Sequence, residues 1–300
     1  MQRFLTALTL LIIVMASGVS FAHEKEKVNA KENAILIVSF GTSMPEARKA
    51  IDNLYNAAVK EFPEYDVQLA FTSNIIRRKI AREQNLNVLN PVQALADFND
   101  KGFKNVYVMP THIIPGEEYD EIKNVVDAFK LLKGKYGFEK LVLAKPFLNN
   151  YDDCKDMAEI LIKRFDKYLQ NSPDTAIILM GHGTPEHIAN ALYSLLQFEL
   201  NKRMPGKFFI GTVEAAPMID DVVASLKNNP EIKNLVISPF MIVAGDHANN
   251  DLAGTDDEES WLNILKSNGY ENITPYLSGL GEDEDITANF ITRLKKIVEK

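Results

Sequence analysis

Two histidines and two glutamates in this 300-residue chain stand where side chains do chemistry. His182 lies between two glycines in M-G-H-G-T (180–184), straight after the apolar run Ala176–Met180. Five apolar residues are too few for a helix, and the run reads as a buried strand ending in a tight loop with an imidazole at its tip. His247, in V-A-G-D-H-A-N-N-D (243–251), leaves a second apolar run through another glycine-containing loop, and Glu214 closes a third, Phe208–Val213. His182, Glu214 and His247 form a 2-His-1-carboxylate set suited to a borderline divalent metal such as cobalt, iron, nickel or zinc. An imidazole is equally a base at neutral pH. Intervals of 32 and 33 residues match no short ligand motif, so only a fold can join the three. Plainer readings stand beside these: a histidine that caps the following helix at 182, and a helix-capping carboxylate at 214. His187 is expected to face solvent.

The elements that must position these groups alternate short apolar runs with amphipathic stretches, the pattern of strand–helix units and parallel sheets. Strands are predicted over 34–40, 66–71, 105–109 and 140–143, then 176–180, 208–213, 235–238 and 273–275. Helices are predicted over 44–62, 75–84, 91–101 and 119–136, a long linking helix over 152–170, then 185–202, 218–228, 257–268 and 285–300. Ser43 is the expected N-cap of the first helix, with Pro45 in its first turn. The fold class is α/β, with a first domain over 34–150 and a second over 151–300. In such sheets ligands gather at the carboxyl ends of the strands. Ser39, Thr42, Ser43, Thr72, Ser73, His112, Glu117, Glu118, His182, Glu214, Asp246 and His247 all fall there.

The halves repeat one another. A-I-L-I-V-S-F-G-T (34–42) matches A-I-I-L-M-G-H-G-T (176–184) at an offset of 142, with Phe40 where His182 stands. V-Y-V-M-P-T-H-I-I-P-G-E-E (106–118) matches L-V-I-S-P-F-M-I-V-A-G-D-H (235–247) at an offset of 129, aligning Pro110 with Pro239, Gly116 with Gly245 and Glu118 with His247. Two Rossmann-like domains related by duplication are therefore expected to pool their loops in one asymmetric cleft. Glu118 is a site candidate on this ground, although Glu117 and Glu118 also read as first-turn acids that complement a helix dipole. Arg77-Arg78-Lys79 is either a solvated helix face or a border of the cleft able to meet anionic groups.

Composition narrows the class. A charge of −8, from 33 basic and 41 acidic residues, without a basic stripe, makes a poor nucleic-acid binder. Met1–Ala22 carries one positive charge, an apolar core over 4–15 and small residues around Ser20-Phe21-Ala22, as in a cleaved signal peptide. Cleavage after Ala22 would place a chain beginning at His23 in the periplasm, with a mobile lead-in over 23–33 and no stable membrane insertion. Cys154 is the single cysteine, which excludes an internal disulfide and a thiolate-built zinc site.

Several of these motifs, in order, resemble the anaerobic sirohydrochlorin cobaltochelatases of the CbiK type: V-S-F-G-T-S (38–43), A-F-T-S (70–73), H-I-I-P-G-E-E-Y (112–119), M-G-H-G (180–183), V-E-A-A-P (213–217), V-A-G-D-H-A-N-N-D (243–251) and L-S-G-L-G-E (277–282). The resemblance implies two α/β domains holding a tetrapyrrole between them and inserting Co²⁺ with release of two protons, without a nucleotide. It places the catalytic histidine on His182, the second on His247, the acidic residue on Glu118 and a carboxylate near the metal on Glu214. Sirohydrochlorin carries eight rim carboxylates, which Ser39, Thr42, Ser43, Ser73 and Arg77 are expected to meet. Export resembles the periplasmic subgroup, some of which bind haem. The alternatives are Fe²⁺ or Ni²⁺ as substrate metal, or a periplasmic carrier of metal or haem without turnover, and a homo-oligomer fits each.

Overall fold

In the computed structural model, residues 32–170 and 172–299 are described. The signal-peptide assignment and nearly all of the expected lead-in lie outside them. Four strands, β1 (Asn33–Ser39), β2 (Asp66–Phe71), β3 (Asn105–Pro110) and β4 (Lys140–Leu143), form one parallel sheet in the order β2-β1-β3-β4. A second parallel sheet, from β5 (Thr175–Gly181), β6 (Phe208–Thr212), β7 (Asn234–Pro239) and β8 (Asn272–Pro275), has the matching order β6-β5-β7-β8. Register repeats as well: Val38 pairs with Pro110, and Met180 with Pro239, which are the same two offsets of 142 and 129. The internal match in the sequence is thus a match of hydrogen-bonded ladders.

Alternation along the strands assigns each sheet two buried faces, as parallel sheets require. Ile35 and Ile37 of β1, with Ile177 and Leu179 of β5, share a single core. Ala34, Leu36 and Val38 point the other way, under α3 (Pro91–Asp100) and α4 (Glu117–Leu131). Ala176, Ile178 and Met180 do the same under α7 (Ile219–Lys227) and α8 (Trp261–Ser267). The shared core is filled by α5 (Tyr151–Leu169), through Met157, Leu161 and Phe165, and by α9 (Glu284–Val298), through Ile286, Phe290 and Leu294. Helix α9 returns to the first half of the chain: Phe290 stacks on Phe147 at 6.3 Å, and the Arg293 guanidinium donates to the Phe147 carbonyl at 3.0 Å as well as to Asp153 of α5 at 2.7 Å. Truncating a buried ring such as Phe290 costs about 3–5 kcal/mol.

Several helix ends depart from the expected ones. Ser43 is not the N-cap of α1 (Pro45–Glu61); Met44 holds that position and its N–H donates to the Thr42 hydroxyl at 3.1 Å. Proline at N1 already supplies the helical φ, so the start needs no side-chain cap. Helix α4 begins at Glu117 rather than Tyr119 and stops at Leu131. The stretch 185–202 opens as a loop and a short turn at Ile188–Asn190 before α6 (Ala191–Arg203), because the Asn190 carboxamide holds the Thr184 backbone and keeps it out of helical geometry. Ahead of α8, residues 248–252 make a wide π-type turn that periodicity does not reveal. Among the described residues no helix is long and apolar enough to cross a membrane.

Candidate functional site

The carboxyl ends of β1, β3, β5 and β7 open into one cavity of about 550 Å³ that both halves of the chain line. Two glycines make the strand-to-loop turns at its floor. Gly41 and Gly183 have φ of +100° and +81°, and a Cβ would meet the Phe71 ring at 2.5 Å in one case and the Thr212 hydroxyl at 2.7 Å in the other. Phe71 and Thr212 are themselves the last residues of β2 and β6. Only glycine fits either position, and the pair accounts for the repeated G-T.

His182 follows β5 and is held by its backbone. Its carbonyl accepts from the N–H groups of Val213 and Glu214, at 3.1 and 3.0 Å, so the loop after β6 is tied to the histidine. That tie brings the Glu214 carboxylate to 3.6 Å from His182 Nδ1, while the same nitrogen lies 3.0 Å from the Gly183 carbonyl. A carbonyl can only accept, so the Nδ1 proton belongs on that side and Nε2 keeps its lone pair. His247, on the loop after β7, stands edge to face with His182, ring centroids 4.9 Å apart at 82°. The neighbouring strands β5 and β7 place both imidazoles at one spot.

Glu118 reaches the cavity from the other half, at the start of α4. The Thr72 hydroxyl donates to its carboxylate at 2.7 Å. Burial lifts its pKa above the ordinary carboxylate value, with Glu121 and Glu117 pushing the same way and the Thr72 hydrogen bond and His182 opposing. Glu118 and His247 therefore line a common cavity as the duplication requires.

Ser39, Thr42 and Ser43 line the cavity; Ser73 and Arg77 do not. Ser73 caps α2 (Asn74–Gln84), accepting from the Ile76 N–H at 3.3 Å. Arg77 donates to the Val88 carbonyl at 2.8 Å, to Gln93 at 2.6 Å and to Asn74 at 3.0 Å, which ties α2 to the segment before α3 and leaves the guanidinium no reach toward the site. The expected metal set is brought together only in part. Among the described residues no three His, Cys, Asp or Glu side chains converge to hold an ion, since Glu214 approaches His182 on its Nδ1 side and not the Nε2 lone pair. His187 is not solvent-facing in the expected way: its Nε2 lies 3.3 Å from Asp120 of α4, across from its own half.

The surroundings of His112, whose strand-end position already marks it as a candidate, and the partner of His247 are set by the structure alone. His112 lines the cavity, and both its ring nitrogens are sealed from solvent without a hydrogen-bond partner although part of the residue is reached. Burial brings its pKa down to about 4, so the ring is neutral at pH 7. Asp251, one helical turn past His247, meets His247 Nδ1 at 2.5 Å. Its i,i+4 spacing is legible in the sequence; the turn that makes the spacing count is not.

Comparison with known proteins shows the family. The family model described as "Cobalt chelatase (CbiK)" matches residues 33–299. The sirohydrochlorin cobaltochelatase of Salmonella typhimurium is 33% identical over 265 residues, covering 88% of this chain and 95% of its own. Sirohydrochlorin cobaltochelatase CbiKC of Nitratidesulfovibrio vulgaris is 31% identical over 270 residues, covering 89% of this chain and 91% of its own. Among solved structures, SirB of Bacillus subtilis with Fe³⁺ superposes with a TM-score of 0.59 at 13% identity, over 88% of this chain and 94% of that one, a likeness of fold.

Proposed function

The chain belongs to the CbiK cobalt chelatase family, and from that premise we infer that it inserts Co²⁺ into sirohydrochlorin, releasing two protons. The observation that carries the reading is the pair of imidazoles 4.9 Å apart in a cavity that also holds Glu118 and Glu214. A tetrapyrrole presents four inward nitrogens and must lose two protons while the metal sheds its waters. His182 Nε2, whose lone pair the Nδ1 contact with the Gly183 carbonyl leaves available, is placed to take a pyrrole proton and to touch the incoming ion. His247 offers the second nitrogen donor of a borderline-metal pair. Glu214, beside His182, and Glu118, from the opposite half, offset the dication and receive protons on their way out. Ser39, Thr42 and Ser43 supply hydroxyls to the substrate's carboxylates. Two imidazoles flanked by separate carboxylates suit an ion that passes through better than one that stays.

The test is an absorbance assay of the purified protein with sirohydrochlorin and each of Co²⁺, Fe²⁺ and Ni²⁺. Metal-dependent conversion of the ring spectrum is expected, fastest with Co²⁺. Binding of the ring without conversion by any of the three would replace the enzyme with a carrier. The same assay with haem in place of sirohydrochlorin decides whether the cavity also holds a finished tetrapyrrole.

Export belongs to the proposal too. Ser20-Phe21-Ala22 meets the small-residue rule for signal cleavage, so the working enzyme begins at His23 in the periplasm. Mass spectrometry of the periplasmic fraction should find that terminus; an intact Met1 in the cytoplasmic fraction would reject it.

A further inference from the structure

The two imidazoles are alike in placement and unlike in what lies behind them. Behind His182 Nδ1 is a neutral backbone carbonyl, that of Gly183, at 3.0 Å. Behind His247 Nδ1 is a carboxylate oxygen of Asp251 at 2.5 Å. A carboxylate is acceptor only, so the pair is satisfied when His247 carries its proton on Nδ1, which leaves Nε2 unprotonated on a ring that lines the cavity. The contact is local, made by the wide turn 248–252 that begins one residue after His247. Such π-type turns recur at functional sites because the extra residue re-aims a side chain. Both partners are about two-fifths exposed, 41% and 39%, so the pair does not serve the core.

We propose that Asp251 is the positioning residue of the site: it fixes the tautomer and ring orientation of His247, and so makes His247 the imidazole that holds the metal ion while His182 attends to the pyrrole proton. Histidines that ligate metals characteristically donate their other N–H to a carboxylate, and losing that partner costs about 10–100-fold in metal affinity or activity. His182 has Gly183 and a longer 3.6 Å approach from Glu214 in that place, a looser arrangement that leaves its ring freer to move between substrate and ion. The kinetic part of this inference rests on the chelatase reading; the tautomer part does not.

The experiment pairs a spectroscopic readout with a kinetic one, on the full mature chain and on Asp251→Asn, Asp251→Ala and Asp251→Glu. Imidazole ¹⁵N–¹H correlation spectra, taken at a pH above the ordinary imidazole range, should show His247 protonated on Nδ1 in the parent. In Asp251→Asn the proton should move to Nε2 or divide between the two, because a carboxamide can turn its NH₂ to the ring. In turnover with sirohydrochlorin, Asp251→Asn and Asp251→Ala should raise the KM for Co²⁺ about 10–100-fold and leave the KM for the tetrapyrrole within about 2-fold, with partial recovery in Asp251→Glu. A His247 protonated on Nε2 in the parent, or unchanged between parent and Asp251→Asn, overturns the proposal whether or not the protein turns over. Equal change in both KM values overturns the metal-holding role, since a merely loosened fold would move the two together.

Discussion

Thr184, two residues past His182, lies against Gly116 at the start of α4, so closely that a Cβ on the glycine would come within 2.9 Å of the threonine methyl. The Thr184 hydroxyl also accepts from the Glu117 N–H at 3.3 Å. In the matching place of the repeat, Thr42 faces Gly245, where a Cβ would lie 3.9 Å from its hydroxyl. The halves thus touch across the cavity at two equivalent points, one tight and one loose. The tight one holds the His182 loop to the helix that carries Glu118.

Gly116→Ala should therefore act as an overpacking change, destabilising by about 1–3 kcal/mol, and should reduce turnover because it pushes the His182 loop away from α4. Thr184→Ser, which removes the offending methyl and keeps the hydroxyl, should return part of both. Urea unfolding and the absorbance assay on the single and double variants check it; an alanine accepted without loss would mean that the contact is slack.

His182→Ala should abolish insertion, a fall of about 10²–10⁴-fold, with the protein still folded. Its side chain is 39% exposed and fills no core. Near-normal turnover with unchanged circular dichroism would end its assignment as base.

Glu118 gives a pH signature. Its pKa is raised in the folded state, chiefly by burial, so ionising it disfavours the native fold. The stability it contributes is complete below the unfolded carboxylate value and is lost as pH rises through the folded one. Glu118→Gln should accordingly raise Tm at neutral pH, with the gain vanishing in acid. The charge change also bears on metal choice: Glu118→His, which makes the loop match that of His247, should alter the relative rates with Co²⁺, Fe²⁺ and Ni²⁺. Three rates falling by one common factor would detach Glu118 from metal selection.

His112 has the opposite sign. Its pKa is depressed to about 4 by burial, so the stability contributed by the neutral ring is present above about pH 6.5 and is lost as pH falls toward 4. The loss is of order 3 kcal/mol. Replacing it by leucine leaves no nitrogen to protonate, and the variant's stability should fall less over that window by about this amount. Parallel denaturation curves at several pH values decide the matter.

Arg77→Ala should cost stability and not substrate binding: the guanidinium makes three hydrogen bonds within its own half and none in the cavity, so about 1–2 kcal/mol of stability is at stake. The KM for sirohydrochlorin should stay within about 2-fold. A large rise in KM would return Arg77 to the cleft.

What could be read from the sequence were the features that a linear pattern encodes. Buried parallel strands are short apolar runs that stop at glycine or proline, so all eight were placed to within about two residues, and the offsets of 142 and 129 reappear as hydrogen-bonded registers. The strand-end rule also led to His182, Glu214, His247, Glu118, Ser39, Thr42 and Ser43, because every parallel strand of a sheet points its carboxyl end at the same edge. Helix limits were less legible, since caps and proline starts compete locally, as at Met44 and Ala191.

Tertiary structure decided which way side chains turn. Ser73 and Arg77 sit one loop from the cavity in sequence, yet one caps its own helix and the other closes onto Val88, choices set by neighbours that a linear pattern does not name. His112 lost its hydrogen-bonding partners only because the chain around it closed over both nitrogens. Asp251 acquired His247 because residues 248–252 coil into a turn straight after the histidine, which brings side chains four positions apart together. Residue type and strand position are properties of the chain; burial arises only when distant segments meet, and even a local polar partner, as for Ser73 or His247, is fixed only once the backbone between the two residues has taken its turn.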